Sequence, residues 1–407
     1  MSTANFVISL VKNIVTSRND VSITSITEVV LGDSSKHFVS IPSIIKVCGK
    51  YLENDRPFEQ SFFYKKNIGK TKLDMGNTIR KLFLNEKLVY EKLCPIFESI
   101  SGTSLPRPKY YGASQDYVLL EDLGACGFKV ENLKAGLDKE HSIHVLEKLS
   151  WFHACSLKLK QDSPDVFDAI SEESPLGDKY ITINSGHAQS ALQMAMDALS
   201  KTGLHEVADH VKEHNLFSVD SLKKFLKCEP EDESLLVFIH GDCWGNNMMF
   251  KHSGELVKVP ESEDLRRRIL DFKFIDYQAV RRSSALTDVL TFLGTTVNSS
   301  LFKSDLKNFL EIYHKSLLDA CQQIEVMNPP SWELFWREFQ NISKYALIAL
   351  VWYLPVHSID FVPNTDWTAV DPDDVSDVIK GADLTLYESK LFDYASALSE
   401  YFMKPVN

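Results

Sequence analysis

The sequence predicts an α+β protein with a β-rich amino-terminal part and a mostly helical carboxy-terminal part. From Val21 to about Lys66, β-branched and aromatic runs are separated by turn residues, which is typical of an antiparallel meander. Beyond residue 123, apolar residues recur at helical spacing almost to the end of the chain. Strands followed by helices favour the α+β class. A chain of 407 residues is long enough for two lobes, which we place at 1–122 and 123–407.

The individual elements follow from the two periodicities. In the amino-terminal lobe we expect an initial amphipathic helix, five strands and one main helix, in the order 4–16, 21–31, 38–47, 61–65, 78–97 (the main helix), 109–111 and 117–121. Small residues after Glu121 indicate a hinge between the lobes. Helical spacing then predicts helices at 139–160, 187–201, 204–225, 283–297, 303–323, 331–353 and 384–402. Two apolar strands interrupt them, and the acidic stretch 366–383 is predicted to be a surface loop.

Composition and charge exclude several classes of function. Hydrophobic residues make up 44% of the chain and charged residues 25%, as in ordinary soluble globular proteins. A formal net charge of −12 argues against a nucleic-acid partner. The longest apolar run, Tyr345–Leu354, is half a bilayer span, so no membrane partner is expected. Seven scattered cysteines without a pairing pattern fit a reducing compartment, and we expect a cytoplasmic enzyme of undetermined oligomeric state.

The strongest motif runs from His240 to Asn247, directly after the apolar strand Leu235–Ile239. It places Asp242 and Asn247 five positions apart, and a second apolar strand about thirty residues later ends in Asp276. Enzymes that transfer phosphoryl groups in the manner of protein kinases use this arrangement. We therefore predict a bilobal, protein-kinase-like fold. Asp242 would take the proton of an acceptor hydroxyl, and Asn247 and Asp276 would hold Mg²⁺. The alternative is a turn in which both side chains only cap the backbone.

Asp271, in Asp271-Phe-Lys273, competes with Asp276 for the metal position. Residues 270, 272, 274 and 276 share one face of an ideal strand, whereas Asp271 shares the opposite face with Lys273. The apolar face points to the interior, and Asp276 continues it into the cleft. This alternation favours Asp276 and assigns Asp271 to a solvated or ion-paired position.

Lys65 and Glu86 are candidates for holding the nucleotide phosphates. Lys65 ends an aromatic strand and Glu86 lies on the following helix, which is the lysine–glutamate arrangement that grips the α- and β-phosphates in kinases. Lys66 is the alternative, because a shift of one residue in register would exchange the two lysines. Glu86 could instead be an ordinary solvated helix residue.

Four further features are candidates for a role at or near the site. Trp244 either lines the acceptor pocket or packs in the core, and His240 is expected to support the loop structurally. Asp288 either caps a helix or braces the backbone of the 240–247 loop. The turn Gly32–His37 lacks the glycine-rich pattern of protein kinases, so it either covers phosphates with its serines and amides or is a plain hairpin connection.

Taken together, these motifs resemble the ecdysteroid kinase-like (CHK kinase-like) family of arthropods, within the choline kinase and aminoglycoside phosphotransferase superfamily. The matching segments are 63–65, 83–95, 119–123, 151–156, 240–250 and 274–278. The resemblance implies ATP and Mg²⁺ as cofactors, with Asp242 as base and Asn247 and Asp276 as metal ligands. It also implies phosphate binding by Lys65 with Glu86, and adenine binding by the backbone of Glu121, Asp122 and Leu123.

Two departures from protein kinases bear on the substrate. An extra charged stretch, 258–268, is expected to lengthen a surface hairpin, and Gln278 stands where protein kinases have glycine, which argues against a peptide substrate. We expect phosphorylation of a hydroxyl on a largely apolar small molecule, an ecdysteroid or xenobiotic alcohol, with Trp244 and Trp352 lining the acceptor pocket. The alternatives are a choline- or ethanolamine-type kinase and a catalytically silent small-molecule-binding protein.

Overall fold

A computed structural model of the chain describes residues 3–31, 40–67, 76–176, 185–258, 265–359 and 382–403. The turn predicted at Gly32–His37 lies outside these ranges. Residues 366–381 of the predicted acidic loop lie outside them too. The lobe boundary at residues 122–123 stays a prediction.

The amino-terminal part contains a five-stranded antiparallel sheet with the order β1-β2-β3-β5-β4. Helix α1 (Thr3–Thr16) covers one face of it, because Val7, Val11 and Val15 recur at intervals of four and all three are buried against the sheet. The predicted meander is confirmed, and β2, β3 and β4 are longer than expected. The strands are β1 (Val21–Val30), β2 (Ser40–Tyr51), β3 (Pro57–Asn67), β4 (Tyr110–Ala113) and β5 (Tyr117–Glu121).

The main helix of this part changes its hydrogen-bonding pattern along its length. Helix α2 (Gly76–Leu88) passes through a π-helical turn, Val89–Leu93, into α3 (Cys94–Ser101). Pro95 has no amide hydrogen and its ring crowds the carbonyl four residues earlier, so a regular α-helix cannot pass through it. The amide of Cys94 instead donates to the Val89 carbonyl, five residues back. The sequence predicted a single regular helix here and missed this widening.

The carboxy-terminal part is a helical assembly built around α9, every residue of which is buried. Its helices are α4 (Lys139–Asp162), α5 (Pro164–Glu173), α6 (Ser185–Lys201), α7 (His205–Glu213), α8 (Val219–Leu226), α9 (Ala285–Thr296), α10 (Ser299–Gln323), α11 (Trp332–Ser358) and α12 (Thr385–Phe402). The prediction of one helix over 204–225 was wrong: Asn215 adopts a left-handed conformation with φ of 48°, which ends α7. Helix α5 was not predicted. Across the described ranges, none of the helices combines the length and apolar character needed to cross a bilayer.

Two short antiparallel strand pairs bring the motif loops together. Strand β6 (Leu236–Ile239) pairs with β9 (Arg281–Ser284), and β7 (Met248–Lys258) pairs with β8 (Leu265–Phe274). The 240–247 loop and the 275–280 loop therefore join the same two strand pairs and lie side by side. Their backbones are also linked directly, because the amide of Ile275 donates to the carbonyl of Asn247 at 3.0 Å. Strand β9 was not predicted, since Arg-Arg-Ser-Ser has no apolar alternation.

The segment 122–138, between β5 and α4, is fixed where it passes the junction of α9 and α10. The amide of Leu137 donates to Thr296 at 2.8 Å, and the amide of Asn298 donates back to Leu137 at 3.0 Å. Gly136 adopts φ of +72°, and a Cβ atom there would lie 2.7 Å from the backbone of Asn298. Close approach of the two backbones therefore requires glycine.

We predict that Gly136→Ala destabilises the protein more than Gly102→Ala. Both glycines have positive φ, +72° and +66°, but a Cβ at Gly102 would meet no atom within 4 Å. The left-handed conformation alone makes alanine unfavourable by about 1 kcal/mol, and at Gly136 the backbone of Asn298 must also move. Urea denaturation of the two variants measures the difference, and equal losses would contradict this account.

Candidate active site

A buried ion pair joins strand β3 to helix α2. The Nζ atom of Lys65 lies 2.9 Å from Oε2 of Glu86, and Lys65 is only 6% exposed while Glu86 is completely buried. Lys65 makes this contact and Lys66 does not, because neighbouring strand residues point to opposite faces of the sheet. The pair forms between the lysine and glutamate singled out in the sequence.

Asp276 reaches the same lysine from the other side of the site. Its Oδ1 lies 2.5 Å from Nζ of Lys65, and its Oδ2 accepts from the side-chain amide of Gln278 at 3.0 Å. The amide oxygen of Gln278 in turn accepts from Lys65 at 2.9 Å. Asn85, beside Glu86 on α2, donates to the backbone carbonyls of Gln278 and Val280 at 3.0 and 2.8 Å. Helix α2 thus holds the 275–280 loop in two ways. Asn85 binds the backbone of the loop directly, and Glu86 binds Lys65, which binds the side chains of the loop.

The structure places Asp276, and not Asp271, at the site, and the predicted alternation holds from Asp271 to Phe274, where Phe272 and Phe274 are buried, but not at Leu270. Leu270 is 49% exposed, whereas the alternation argument put it on the buried face. The register with β7 shifts between Lys251↔Asp271 and His252↔Ile269, so Leu270 occupies a bulge. Asp276 lies beyond the end of β8 with φ of 64°, a left-handed conformation that aspartate tolerates better than most residues. Asp271 instead pairs with Lys273 at 3.2 Å.

Asp242 and Asn247 are in direct contact within the 240–247 loop. The amide nitrogen of Asn247 donates to Oδ2 of Asp242 at 2.8 Å and to its backbone carbonyl at 2.9 Å. The hydroxyl of Tyr353, on α11, donates to the other carboxylate oxygen at 2.7 Å. Both oxygens of Asp242 are therefore oriented by hydrogen bonds. Sequence reasoning did not single out Tyr353, since one aromatic residue in the middle of a distant helix gives no local signal.

Asp288 braces the backbone at the start of this loop, which decides between the two roles considered for it. Its carboxylate accepts from the amides of His240 and Gly241 at 2.6 and 2.9 Å. His153 lies 3.3 Å from the same carboxylate and is itself held by the hydroxyl of Tyr313 at 2.6 Å. All of these side chains are buried. These hydrogen bonds outweigh burial and hold the pKa of Asp288 below its ordinary value, so it remains a charged acceptor.

A stack of aromatic rings connects the π-helical turn to the loops. Tyr90 stacks on Tyr110 with ring centroids 5.1 Å apart and meets Tyr277 edge-on at 5.6 Å. Tyr277 packs against the imidazole of His240 at 5.0 Å, and that imidazole lies 3.1 Å from the carbonyl of Ile275. His240 therefore links the 240–247 loop to the 275–280 loop and has a structural role, as predicted. The stack makes the helix that carries Glu86 and the loop that carries Asp242 one packed unit.

The charges at the site do not balance. Burial raises the pKa of Asp242, and the negative charge of Asp276 raises it further, against the hydrogen bonds from Tyr353 and Asn247. Burial also raises the pKa of Glu86, to about 7, with Asp276 adding to the shift and Lys65 opposing it. Burial alone would lower the pKa of Lys65, but Asp276 and Glu86 raise it, so the ammonium stays charged. Glu86 and Asp276 thus share one ammonium group, and Asp242 feels the charge of Asp276 without a contact to Lys65 of its own.

This set of side chains fits a bound Mg²⁺ ion. The carboxylate of Asp276 and the amide oxygen of Asn247 are hard oxygen donors, which Mg²⁺ prefers. The raised pKa of Asp242, caused by burial and by Asp276, indicates that the site has negative charge to spare. A divalent cation between the two loops would relieve that repulsion.

The segment Glu121–Leu123 continues β5, which is the neighbour of the strand that carries Lys65. The amide of Lys109 donates to the Glu121 carboxylate at 3.0 Å, and the amide of Ala125 donates to the Asp122 carboxylate at 3.1 Å. Leu123 is buried, and its carbonyl accepts from Phe128 at 3.0 Å. These bonds fold the segment into a tight turn. Both acidic side chains are thus engaged by backbone amides of the chain itself.

The aromatic side chain nearest to Asp242 on the loop itself is Trp244. Its ring centroid lies 5.3 Å from that of Tyr353. Trp244 thus lies at the site through its contact with the tyrosine that holds Asp242. The side chain of Trp352, also predicted to line the acceptor pocket, lies outside the part of the structure that is described.

We predict that replacing Glu86 with glutamine changes how stability depends on pH. The pKa of Glu86 is raised from 4.5 to about 7 in the folded protein. Between those values the folded state keeps a proton that the unfolded chain has lost, so Glu86 makes the wild type less stable as pH rises. The stability of Glu86→Gln relative to the wild type should therefore increase from pH 4.5 to above 7. Urea denaturation across this range measures it; parallel pH profiles would contradict the raised pKa.

Residues 36–326 of the chain match the Ecdysteroid kinase-like family, abbreviated EcKL. A comparison with curated proteins found no match. The matched residues include both members of the β3–α2 ion pair, the whole 240–247 loop and the 275–280 loop, whereas Tyr353 lies beyond them. A match of this extent covers well over half of the chain. With its α+β, kinase-like fold, the chain belongs to the ecdysteroid kinase-like family.

Proposed function

We propose that this protein is an ATP- and Mg²⁺-dependent kinase that phosphorylates a hydroxyl group on a small, largely apolar molecule. The family supports a small-molecule kinase-like function. The observation that carries the proposal is the position of the Lys65 ammonium, 2.9 Å from Glu86 and 2.5 Å from Asp276, whose negative charge in turn acts on the Asp242 carboxyl. Phosphoryl transfer needs this combination of a phosphate-binding cation, metal-binding oxygens and a carboxylate base.

In the proposed complex, Lys65 binds the α- and β-phosphates of ATP while it keeps its contact with Glu86. Asp276 and Asn247 would hold Mg²⁺, which would neutralise charge on the transferred phosphoryl group. The backbone of Glu121–Leu123, at the end of β5, is proposed to bind adenine.

Asp242 is proposed to orient the acceptor hydroxyl and to take its proton. The acceptor oxygen then forms a bond to the γ-phosphorus, the bond between that phosphorus and the β–γ bridging oxygen breaks, and ADP leaves. Positioning supplies most of the rate enhancement in such reactions. Tyr353 and Asn247 supply that positioning, because each holds one oxygen of the Asp242 carboxylate.

The aromatic pair next to Asp242 favours an apolar acceptor. The rings of Trp244 and Tyr353 lie 5.3 Å apart, and the Tyr353 hydroxyl binds Asp242, so an acceptor bound at Asp242 would have apolar ring surface close by. Apolar pockets with a few polar groups are typical of sites for hydrophobic small molecules. A steroid or xenobiotic alcohol suits such a site. Aromatic rings also bind quaternary ammonium groups through cation–π contacts, so choline remains the alternative acceptor to be compared.

Nucleotide binding should stabilise the wild-type protein but not Asp276→Asn. Mg²⁺-ATP at a hundredfold excess over its dissociation constant should stabilise the folded state by about 2.7 kcal/mol. Asp276→Asn removes a metal-binding carboxylate, so its Mg²⁺-dependent stabilisation should be lost. Thermal denaturation with ATP, with and without Mg²⁺, measures the effect. Asp271→Asn is the matched control, because Asp271 lies on β8, shortly before Asp276 in the chain, but pairs with Lys273 and should respond as the wild type does.

If Mg²⁺-ATP leaves the melting temperature of the wild type unchanged, the protein does not bind the nucleotide. The fold would then serve a catalytically silent small-molecule-binding function. Equal loss of stabilisation in both aspartate variants would instead show that the metal position is wrongly assigned.

Transfer of the γ-phosphoryl group should require Asp242. We expect label from γ-labelled ATP on sterol or phenolic alcohols with the wild type, and loss of transfer by at least about a hundredfold in Asp242→Asn, consistent with removal of a general base. Tyr353→Phe is the conservative control. It removes a hydrogen bond that lowers the pKa of Asp242, so activity should persist with the acidic limb of its pH profile moved to higher pH.

The acceptor panel should also contain choline, ethanolamine and an aminoglycoside. Labelling of these alone would overturn the apolar acceptor while leaving the kinase activity in place. Full activity of Asp242→Asn would overturn the proposed base.

A further inference from the structure

Two imidazoles face each other outside the motif loops. His141 lies in the first turn of α4 and His252 on strand β7, and each has a carboxylate nearby, Asp138 and Glu131. We refer to Glu131, Asp138, His141 and His252 as the histidine cluster. Its side chains are partly buried, between 12% and 33% exposed.

The geometry of the cluster brings two imidazole nitrogens to one point. The Nε2 atoms of His141 and His252 are 2.9 Å apart. Asp138 lies 2.9 Å from Nδ1 of His141, which is hydrogen-bond distance, so it keeps the hydrogen on that nitrogen and leaves Nε2 of His141 as a lone-pair donor. Glu131 lies 3.8 Å from Nδ1 of His252, which is too long for a hydrogen bond. Two Nε2 atoms in this position hold either a shared hydrogen or, with both imidazoles neutral, a cation.

We propose that His141, His252 and Glu131 bind a divalent transition-metal ion of the Zn²⁺ class, with Asp138 as the positioning residue for His141. The potential ligand atoms of the three residues all lie within 4.8 Å of one another. Zn–N distances of about 2.0–2.1 Å separate two ligands of a tetrahedral site by about 3.3 Å. The two imidazoles therefore need to open by only about 0.4 Å to admit the ion.

The local charge suits a dication. Asp138, Glu131 and Glu140 all raise the pKa of His141 through their negative charge or hydrogen bonding, although burial opposes them. Burial lowers the pKa of His252. The charges of Glu131 and Glu140 raise it, and the charge of Arg267 lowers it. Three carboxylates thus surround the imidazole pair against one guanidinium. Imidazole with carboxylate is a ligand set for Zn²⁺ and related metals, whereas Mg²⁺ prefers oxygen ligands alone.

A metal here would tie together three separate parts of the chain. The segment with Glu131 already forms a backbone bridge to β7, because Lys129 and Phe250 exchange hydrogen bonds of 2.9 and 2.8 Å. The ring of His141 packs edge-on against Phe250 at 4.9 Å. Strands β7 and β8 begin after Asn247 and end before Asp276. The ion would fix the segment around Glu131 to the β7–β8 hairpin, which is flanked by Asn247 and Asp276.

The test is Zn²⁺ titration of the untagged full chain, by calorimetry in the presence of excess Mg²⁺, with thermal denaturation in parallel. We expect one equivalent to bind and to raise the melting temperature. His141→Ala and His252→Ala should each abolish this binding, and Asp138→Asn should weaken it by about 10- to 100-fold. Co²⁺ in place of Zn²⁺ should give a visible d–d absorption band in the wild type that both alanine variants lack.

Two controls separate this site from others on the chain. His210, half-buried on α7, and His214, exposed just after its end, form a stacked pair with ring centroids 4.1 Å apart. The double variant His210→Ala/His214→Ala should bind as the wild type does. Asp276→Asn should also retain Zn²⁺ binding, which distinguishes the histidine cluster from the proposed Mg²⁺ position. Glu131→Gln keeps both imidazoles in place and should weaken binding, even if an alanine variant folds poorly.

Three results would overturn the proposal. They are no saturable Zn²⁺ binding by the wild type, undiminished binding after loss of His141 or His252, and binding that disappears only with His210 and His214. The imidazoles would then share a proton in an N–H···N hydrogen bond, and the cluster would be a structural contact alone.

Discussion

The arrangement of this site depends on one buried ammonium group that serves three partners. Nζ of Lys65 lies within 2.9 Å of Glu86, Asp276 and Gln278, which come from the main amino-terminal helix and from the 275–280 loop. A buried charge is stable only where it is paired and hydrogen-bonded. The helix and the loop must therefore both approach the strand that carries Lys65. The same requirement leaves more carboxylate charge than a single ammonium can neutralise.

A second buried charge, that of Asp288, fixes the backbone of the loop that carries Asp242. Asp288 accepts two backbone amides from the start of the 240–247 loop, and His153 with Tyr313 completes its hydrogen bonding. Buried networks of this kind are rigid when every member is satisfied. The backbone that carries Asp242 is therefore fixed by hydrogen bonds, which suits a reaction whose rate depends on the position of the base.

Sequence reasoning found the side chains at the site more reliably than the contacts between them. Lys65, Glu86 and Asp276 were chosen from spacing and strand ends, and they meet. Gln278 and Tyr353 contact the same groups, but the sequence distinguishes Gln278 only as a departure from the glycine of protein kinases and gives no contact for either residue. The alternation argument for Asp276 holds from Asp271 to Phe274 but fails at the β-bulge of Leu270, because register shifts depend on the partner strand and not on the strand itself.

The sequence by itself determined the α+β class, most helices and the identity of the loop residues, because periodicity and turn chemistry are local properties. It also carried the family resemblance. Only the tertiary structure decided which partners those residues have: the pairing of β6 with β9, the brace from Asp288, and the meeting of His141 with His252 across more than a hundred residues. These depend on how distant segments pack, and packing is a property of the whole chain that no local pattern encodes.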